Sequence, residues 1–276
     1  MVSLTCDVPV SLRTALKTRA LATAQSESQL MITALSQYLA QPIHTLFQVS
    51  TSGALVAGVY SGMVSCATIL QHGDFGLGTF ANLDGEMIVV DGRVYQIRGS
   101  GRVTEAARDA EAPFAVVTWF KPETEASLND VSSYKELEAR CDVLRRSGNI
   151  FYALRVDGRF KRVRTRAVNP PQPGTRLGAA AKAQSEFYFT EIDGSLIGLW
   201  SPGFSSAFSV AGYHFHFLSD DRCHGGHVLD VQADRLQLKI ELLTDFRLAL
   251  PESESFLKAD LSKSTTEELA YAEQAH

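Results

Sequence analysis

Two histidines, His214 and His216, stand two residues apart in an aromatic run, GYHFHF, and a third, His227, follows beyond a polar turn and a glycine pair. A neutral imidazole offers one nitrogen lone pair to a metal while its other ring nitrogen donates a hydrogen bond. Period-two spacing marks a β-strand, whose successive side chains point to opposite faces. Both imidazoles of the pair therefore share one face, and Phe215 and Phe217 take the other. A polar turn covers residues 219–222, and Gly225-Gly226 leads into a second extended run over residues 227–231. Folded as a hairpin, the two runs set His227 beside the first pair. Three imidazoles with coordination positions left over make a catalytic zinc-type site rather than a closed structural one. The plain alternative is a hydrogen-bonded core pair, since 7 histidines in 276 residues are ordinary. Glycines that let two backbones approach closely favour the ligand reading. His224 is a rival third ligand but sits in the turn, and Cys223 has no second cysteine near it, so His227 is preferred.

The rest of the chain supplies the strands that hold such a hairpin. Residues 73–80 and 87–90 read as strands around a turn at 83–85, and 94–98 joins the latter across Asp91-Gly92, a strong hairpin dipeptide. Residues 115–120, AVVTWF, form a buried strand. The spacing predicts an amphipathic helix over 131–147, with Leu137, Cys141 and Leu144 inward and Gly148 as its stop. Residues 149–156 and 160–168 then read as a hairpin across Asp157-Gly158, and 186–192 and 195–200 as another across Asp193-Gly194. Between these pairs, the proline-rich stretch 169–174 is a connector and a possible sub-boundary. A short run at 208–210, the histidine hairpin and an alternating strand over 235–243 follow. Hydroxyls ahead of two glutamates at 264–268 open a terminal helix. The fold class is α/β with α+β character: mixed, largely antiparallel sheets with few helices, and the metal site on a β-hairpin.

Residues 1–41 stand apart. Residues 2–8 alternate apolar and polar, Pro9 ends that strand, and Leu12, Leu16, Ala20 and Leu21 recur at helical spacing. Ser26 with Gln29 opens a second helix that carries Leu30, Ile32, Leu35 and Leu39, and Pro42 closes it. The order and spacing resemble a ribbon-helix-helix unit, a family that pairs its strands in dimers and often reads DNA with them. The positions that would read DNA are Ser3, Thr5 and Asp7, without a lysine or arginine among them. Dimerisation is therefore expected ahead of DNA binding, and a unit this small needs a partner chain to bury its apolar face. The expected assembly is a homodimer or a higher homo-oligomer.

Totals set the outer limits. A hydrophobic fraction of 45% and a charged fraction of 21% describe a soluble globular chain, and the net charge of −5 argues against an electrostatic nucleic-acid binder. Cys6, Cys66, Cys141 and Cys223 are scattered and read as free thiols of a reducing compartment. The N-terminal residues lack a signal-peptide core and no apolar run reaches membrane-spanning length, so a cytoplasmic location is expected.

The histidine stretch, together with LFQVSTSGALVAGVYSG at 46–62 and GDFGLGTFANLDGEMIVVDG at 73–92, closely resembles the acetolactate decarboxylase family, from about residue 45 to 273. The resemblance implies a catalytic domain over 42–276 that begins with a short helix near 51–60. It implies one zinc ion per chain on His214, His216 and His227, although three imidazoles also accept copper, nickel, iron or cobalt. It carries functional roles onto Glu86 in DGEM, Arg166 in KRVRTR and Glu273 in the terminal helix, with Thr79 in GLGTF as pocket wall. The implied reaction turns 2-acetolactate into acetoin and carbon dioxide, a step toward butanediol. Without the resemblance, Glu86 and Glu273 read as solvated carboxylates and Arg166 as one cation of a solvated basic strand.

Two rivals remain at this level. A cupin-type metal oxygenase also uses H-x-H on a strand, but wants a glutamate four or five residues on, where this chain offers Asp220 and Asp221. A metabolite-sensing DNA-binding regulator is disfavoured by Asp7 and the acidic balance.

Overall fold

The computed structural model describes residues 5–39, 44–172, 174–262 and 268–269. The chain forms two compact units, Met1–Ile43 and His44–His276.

The first unit contains α1 (Val10–Thr23) and α2 (Glu27–Tyr38). Ser26 and Gln29 start α2 as the spacing predicts. The Gln29 backbone N–H donates to Ser26 Oγ at 3.1 Å, and the Ser26 N–H donates back to Gln29 Oε1 at 3.0 Å. None of the described residues of α1 is buried, and Val10 and Leu21 are 83% and 86% exposed. The strand expected over 2–8 does not extend through residues 5–9, which have no regular structure, and 2–4 and Pro42 lie outside the described residues.

The second unit runs β1 (Thr45–Val49), α3 (Ser52–Val56), β2 (Val64–Ser65), α4 (Cys66–Ile69), β3 (Phe75–Thr79), β4 (Glu86–Val90) and β5 (Arg93–Ile97). It continues with β6 (Val103–Glu105), β7 (Glu111–Ala112), β8 (Phe114–Thr118), β9 (Thr124–Val131), α5 (Tyr134–Leu144) and β10 (Phe151–Ala167). Further elements among the described residues are α6 (Leu177–Ala181), β11 (Ser185–Ser201), β12 (Gly212–Ser219), β13 (Gly225–Leu243), β14 (Asp245–Ala249) and α7 (Glu254–Lys258). No helix among the described residues is long and apolar enough to cross a membrane.

Seven strands form one sheet in the order β14-β1-β8-β3-β4-β5-β6. Every residue of β3, β4 and β8 is buried, as expected of strands covered on both faces. Alternation sends Leu77, Ile88 and Val116 into one core and Met87, Val89 and Val117 into another with Cys66 and Ile69 of α4. The second sheet joins β10, β11, β12, β13 and β9, and β10 also pairs with β13, so β12 bridges from β11 back to the start of β13. One face of this sheet packs toward the first through Ala153, Ile197 and Leu199. The other carries Phe215 and Phe217, both 0% exposed, in the core that includes Leu137 and Cys141 of α5. Ser133 caps that helix by accepting from the Glu136 N–H at 3.2 Å. Pairing among the described strands is antiparallel except for β1 with β14, so the largely antiparallel character read from the sequence holds.

Two expected hairpins are corrected. Asp91-Gly92 does turn the chain between β4 and β5, but Asp157-Gly158 and Asp193-Gly194 lie inside the unbroken strands β10 and β11. The two dipeptides face each other, with Gly158 opposite Gly194 and Asp157 opposite Ser195. Asp157 is held by Arg155 at 2.7 Å and by the Ser195 hydroxyl at 2.6 Å. Residues with hydrogen-bonded strands on both sides gain more from the ladder than from reversing. The runs 227–231 and 235–243 likewise merge into β13.

Candidate active site

His214 and His216 project from β12, and His227 from the start of β13, where it stands opposite His216 in the register. His214 Nε2 lies 3.1 Å from His216 Nε2 and 3.0 Å from His227 Nδ1, and the three possible ligand atoms lie within 4.8 Å of one another. The glycine pair earns its place here. A Cβ at Gly226, whose φ is +136°, would stand 2.6 Å from the Arg166 carbonyl oxygen, and one at Gly225 would stand 2.7 Å from that of Phe217.

A second local device sets Arg166 on the same face. Along β10 and β13, Arg164 opposes Asp230 while Thr165 opposes Val228, so Leu229 is the extra residue of a β-bulge. Beyond the bulge, Arg166 opposes His227. In an unbroken ladder His227 would instead oppose Ala167, and its ring would turn away from the guanidinium. Glu86 arrives from the other sheet as the first residue of β4 and pairs with Thr79 of β3. Its Oε1 accepts the Val168 N–H at 3.3 Å and lies 3.7 Å from Arg166 Nη1, and its Oε2 lies 3.7 Å from His216 Nε2. Thr79 Oγ donates to the Gly85 carbonyl at 2.8 Å and steadies the turn that delivers Glu86.

Glu86, Arg166, His216 and His227 are buried, at 6%, 4%, 1% and 4% exposure, and His214 is partly exposed. His214, His227, Glu86, Arg166 and Thr79 line one cavity of about 40 Å³, room for a few water-sized groups. Its remaining wall is apolar, with Leu55, Phe114, Leu177 and Leu269 among the lining residues. Although His214 keeps some exposure as a whole, its Nε2 faces the other two imidazoles away from water. This burial of the ring, reinforced by the Arg166 charge, pushes His214 down to about 3, so the ring stays neutral at ordinary pH.

The donor set fits a transition-metal ion. His216 Nδ1 lies 2.9 Å from the Met87 carbonyl oxygen, which calls for the proton on Nδ1 and leaves the Nε2 lone pair facing the cluster. A neutral ring carries one N–H, so His214 Nε2 can donate to at most one of its two close nitrogen neighbours. A cation satisfies all three together. Nitrogens about 2.0–2.1 Å from a tetrahedral zinc sit about 3.3 Å from each other, close to the two separations that His214 makes, 3.1 and 3.0 Å.

The structure thus brings together His214, His216, His227, Glu86, Arg166 and Thr79. Glu273 lies outside the described residues, as do residues 264–267 of the expected helix start. His224 remains in the turn, its ring edge-on to Phe189 with centroids 5.0 Å apart, and Cys223 is exposed. Sequence reasoning missed the apolar wall and the bulge at Leu229. A leucine lining a cavity carries the same local signature as a leucine in a core.

A family model described as "Alpha-acetolactate decarboxylase" matches residues 46–263. A protein of that name from Methylococcus capsulatus is 40% identical over 231 residues, covering 83% of this chain and 89% of its own. One from Brevibacillus brevis is 37% identical over 233 residues, 84% of this chain and 82% of its own. The crystal structure of alpha-acetolactate decarboxylase from Bacillus subtilis strain 168 superimposes with a TM-score of 0.81 at 33% identity, covering 84% of this chain and 100% of that one.

Proposed function

The chain belongs to the alpha-acetolactate decarboxylase family, and from that premise we infer that it converts 2-acetolactate into acetoin and carbon dioxide. Two imidazoles, a carboxylate and a guanidinium line one small cavity, and the third imidazole, His216, stands 3.1 Å from His214 behind them; this convergence carries the reading at the level of chemistry.

The substrate is a β-keto acid whose ketone neighbours the carbon bearing both hydroxyl and carboxylate. Breaking the bond to the carboxylate releases carbon dioxide and sends the electron pair toward the ketone oxygen, giving an enediolate. Protonation of carbon then completes acetoin. A divalent transition-metal ion, zinc foremost, would be held by His214, His216 and His227 and would supply Lewis-acid stabilisation of the negative charge on oxygen.

The chain's own groups do the rest. Arg166 orients the substrate through its planar fork of N–H donors. It should not grip the departing carboxylate strongly, because stabilising the ground state does not speed the chemical step. Glu86 is placed between that guanidinium and His216, where its protonated form can deliver a proton to one face of the carbon and so fix the configuration of the product. Glu273 is the second acid in this reading. The apolar wall limits the entry of water, which strengthens every charge interaction inside. Purified protein given racemic acetolactate should release acetoin of one configuration with an equivalent of carbon dioxide. Carbon dioxide release that required molecular oxygen would instead favour the oxygenase.

The Met1–Ile43 unit is proposed as an assembly element of ribbon-helix-helix type. Helices that leave Val10, Leu21, Ile32 and Leu35 exposed support it, since such faces are costly in water and are covered when two copies pair.

A further inference from the structure

The cavity wall contains two leucines whose preceding residues form an ion pair. Leu177 opens α6 and follows Arg176, and Leu269 follows Glu268. Both leucines line the cavity and belong to one apolar cluster, at 7% and 4% exposure. Outside them, Arg176 Nη2 donates to Glu268 Oε2 at 2.7 Å, and Arg176 Nε lies 3.2 and 3.3 Å from the two carboxylate oxygens. The Gly178 N–H donates to the same carboxylate, and the Arg176 guanidinium holds it below the usual carboxylate range. Gly178 leaves room for this approach: a Cβ there would stand 3.2 Å from Glu268 Cγ. The two segments are thus fastened at two levels, polar outside and apolar inside.

Building on the decarboxylase reading, we propose that Arg176 is a positioning residue that acts through Glu268 to hold Leu269 against the cavity, and that Leu269 sets the size of substrate the cavity takes. The guanidinium–carboxylate fork fixes direction as well as distance, so it constrains how deep the next side chain sits. An exposed ion pair adds little to the stability of a whole domain. Its effect is therefore local, on one short segment and the wall it provides. Leu269 is one of the apolar side chains that line the cavity, so shortening it enlarges the space on that side by several methyl-sized groups. The ligand class that would gain is the same 3-keto-2-hydroxy acid with a longer alkyl group on the carbinol carbon.

The test compares Arg176→Ala, Glu268→Ala, the charge-reversed pair Arg176→Glu/Glu268→Arg, and Leu269→Ala with the unaltered protein. Three readouts are taken: bound metal, kcat and KM on acetolactate and on its ethyl homologue, and hydrogen exchange of the peptide containing residues 268–269. Either single clasp variant should raise KM roughly tenfold with metal content unchanged and speed exchange in that peptide, and the reversed pair should recover both. Leu269→Ala should lower the preference for the smaller substrate about tenfold, the scale of one methylene in an apolar pocket. Unchanged exchange and KM in both single variants would overturn the clasp, and an unchanged substrate preference in Leu269→Ala would overturn the wall. Should the unaltered protein bind metal yet make no acetoin, the reaction assigned above falls, and the exchange comparison still decides the clasp.

Discussion

Glu86 and Glu241 are both buried glutamates on strands of the same unit, at 6% and 0% exposure, yet their surroundings differ in kind. Glu86 faces a cavity shared with Arg166, His214 and His227. Glu241 does not line that cavity. Its Oε2 accepts the Lys121 N–H at 2.8 Å, its Oε1 lies 3.7 Å from His44 Nδ1, and that ring nitrogen lies 2.8 Å from the Leu242 carbonyl oxygen. Burial pushes the Glu241 carboxyl up to about 7, with Asp74 and Glu123 pressing in the same direction. What separates a site from a structural acid is therefore neither burial nor a neighbouring histidine. It is the convergence of several groups on space that a ligand can enter.

The comparison breaks most visibly at the histidines. His216→Ala removes the most deeply buried ligand together with its Met87 anchor, and metal content and acetoin formation should fall together to background. Full metal content with normal turnover would remove the triad from the account. Glu86→Gln should keep the metal and lower kcat by about 100- to 10,000-fold, the range of a lost general acid or base. A rate near that of the unaltered protein would make Glu86 the same kind of residue as Glu241.

Glu241→Gln should act on stability instead. The folded-state pKa of about 7 lies above the ordinary 4.5, so the folded chain binds the proton more tightly than the unfolded one. The stability this contributes is fully present below about 4.5 and is lost as pH rises through about 7. Glutamine, neutral throughout, should flatten the fall in Tm between pH 5 and 8, an effect of at most about 3 kcal/mol at the alkaline end. Activity at pH 6 should be nearly unchanged. A Tm profile parallel to that of the unaltered protein would mean that Glu241 titrates normally.

The smallest expected effect on chemistry comes from deleting residues 1–43. Oligomer mass by light scattering should drop or become dilution-dependent, with activity per site nearly intact. A mass unchanged across dilution would defeat the assembly role, and tight, salt-sensitive binding of the intact protein to one DNA sequence would favour the regulator.

How far the sequence could be read follows from how local each signal is. The histidine hairpin was legible because alternation places His214 and His216 on one face and a glycine pair marks the backbone approach. The capping box at Ser26 and Gln29 was legible for the same reason. The Asp-Gly dipeptides were ambiguous: Asp91-Gly92 turns, whereas Gly158 and Gly194 stay extended because they face each other in the ladder. That pairing joins residues 36 positions apart and leaves no local trace. Glu86 and Arg166 became visible through a family motif alone, since a bulge at Leu229 decides whether Arg166 faces the histidines. Leu269 had no signal, because its role depends on Glu268 meeting Arg176 across 92 residues.

The central claim is that the three histidines hold the ion on which decarboxylation depends. Stripping the purified protein with a chelator and adding back zinc in sub-stoichiometric steps tests it most directly, with bound metal and acetoin formation measured at each step. Activity should vanish on stripping and return linearly, reaching its plateau at one ion per chain. Full acetoin formation by the metal-free protein, or a plateau reached with the His216→Ala variant, would contradict the account.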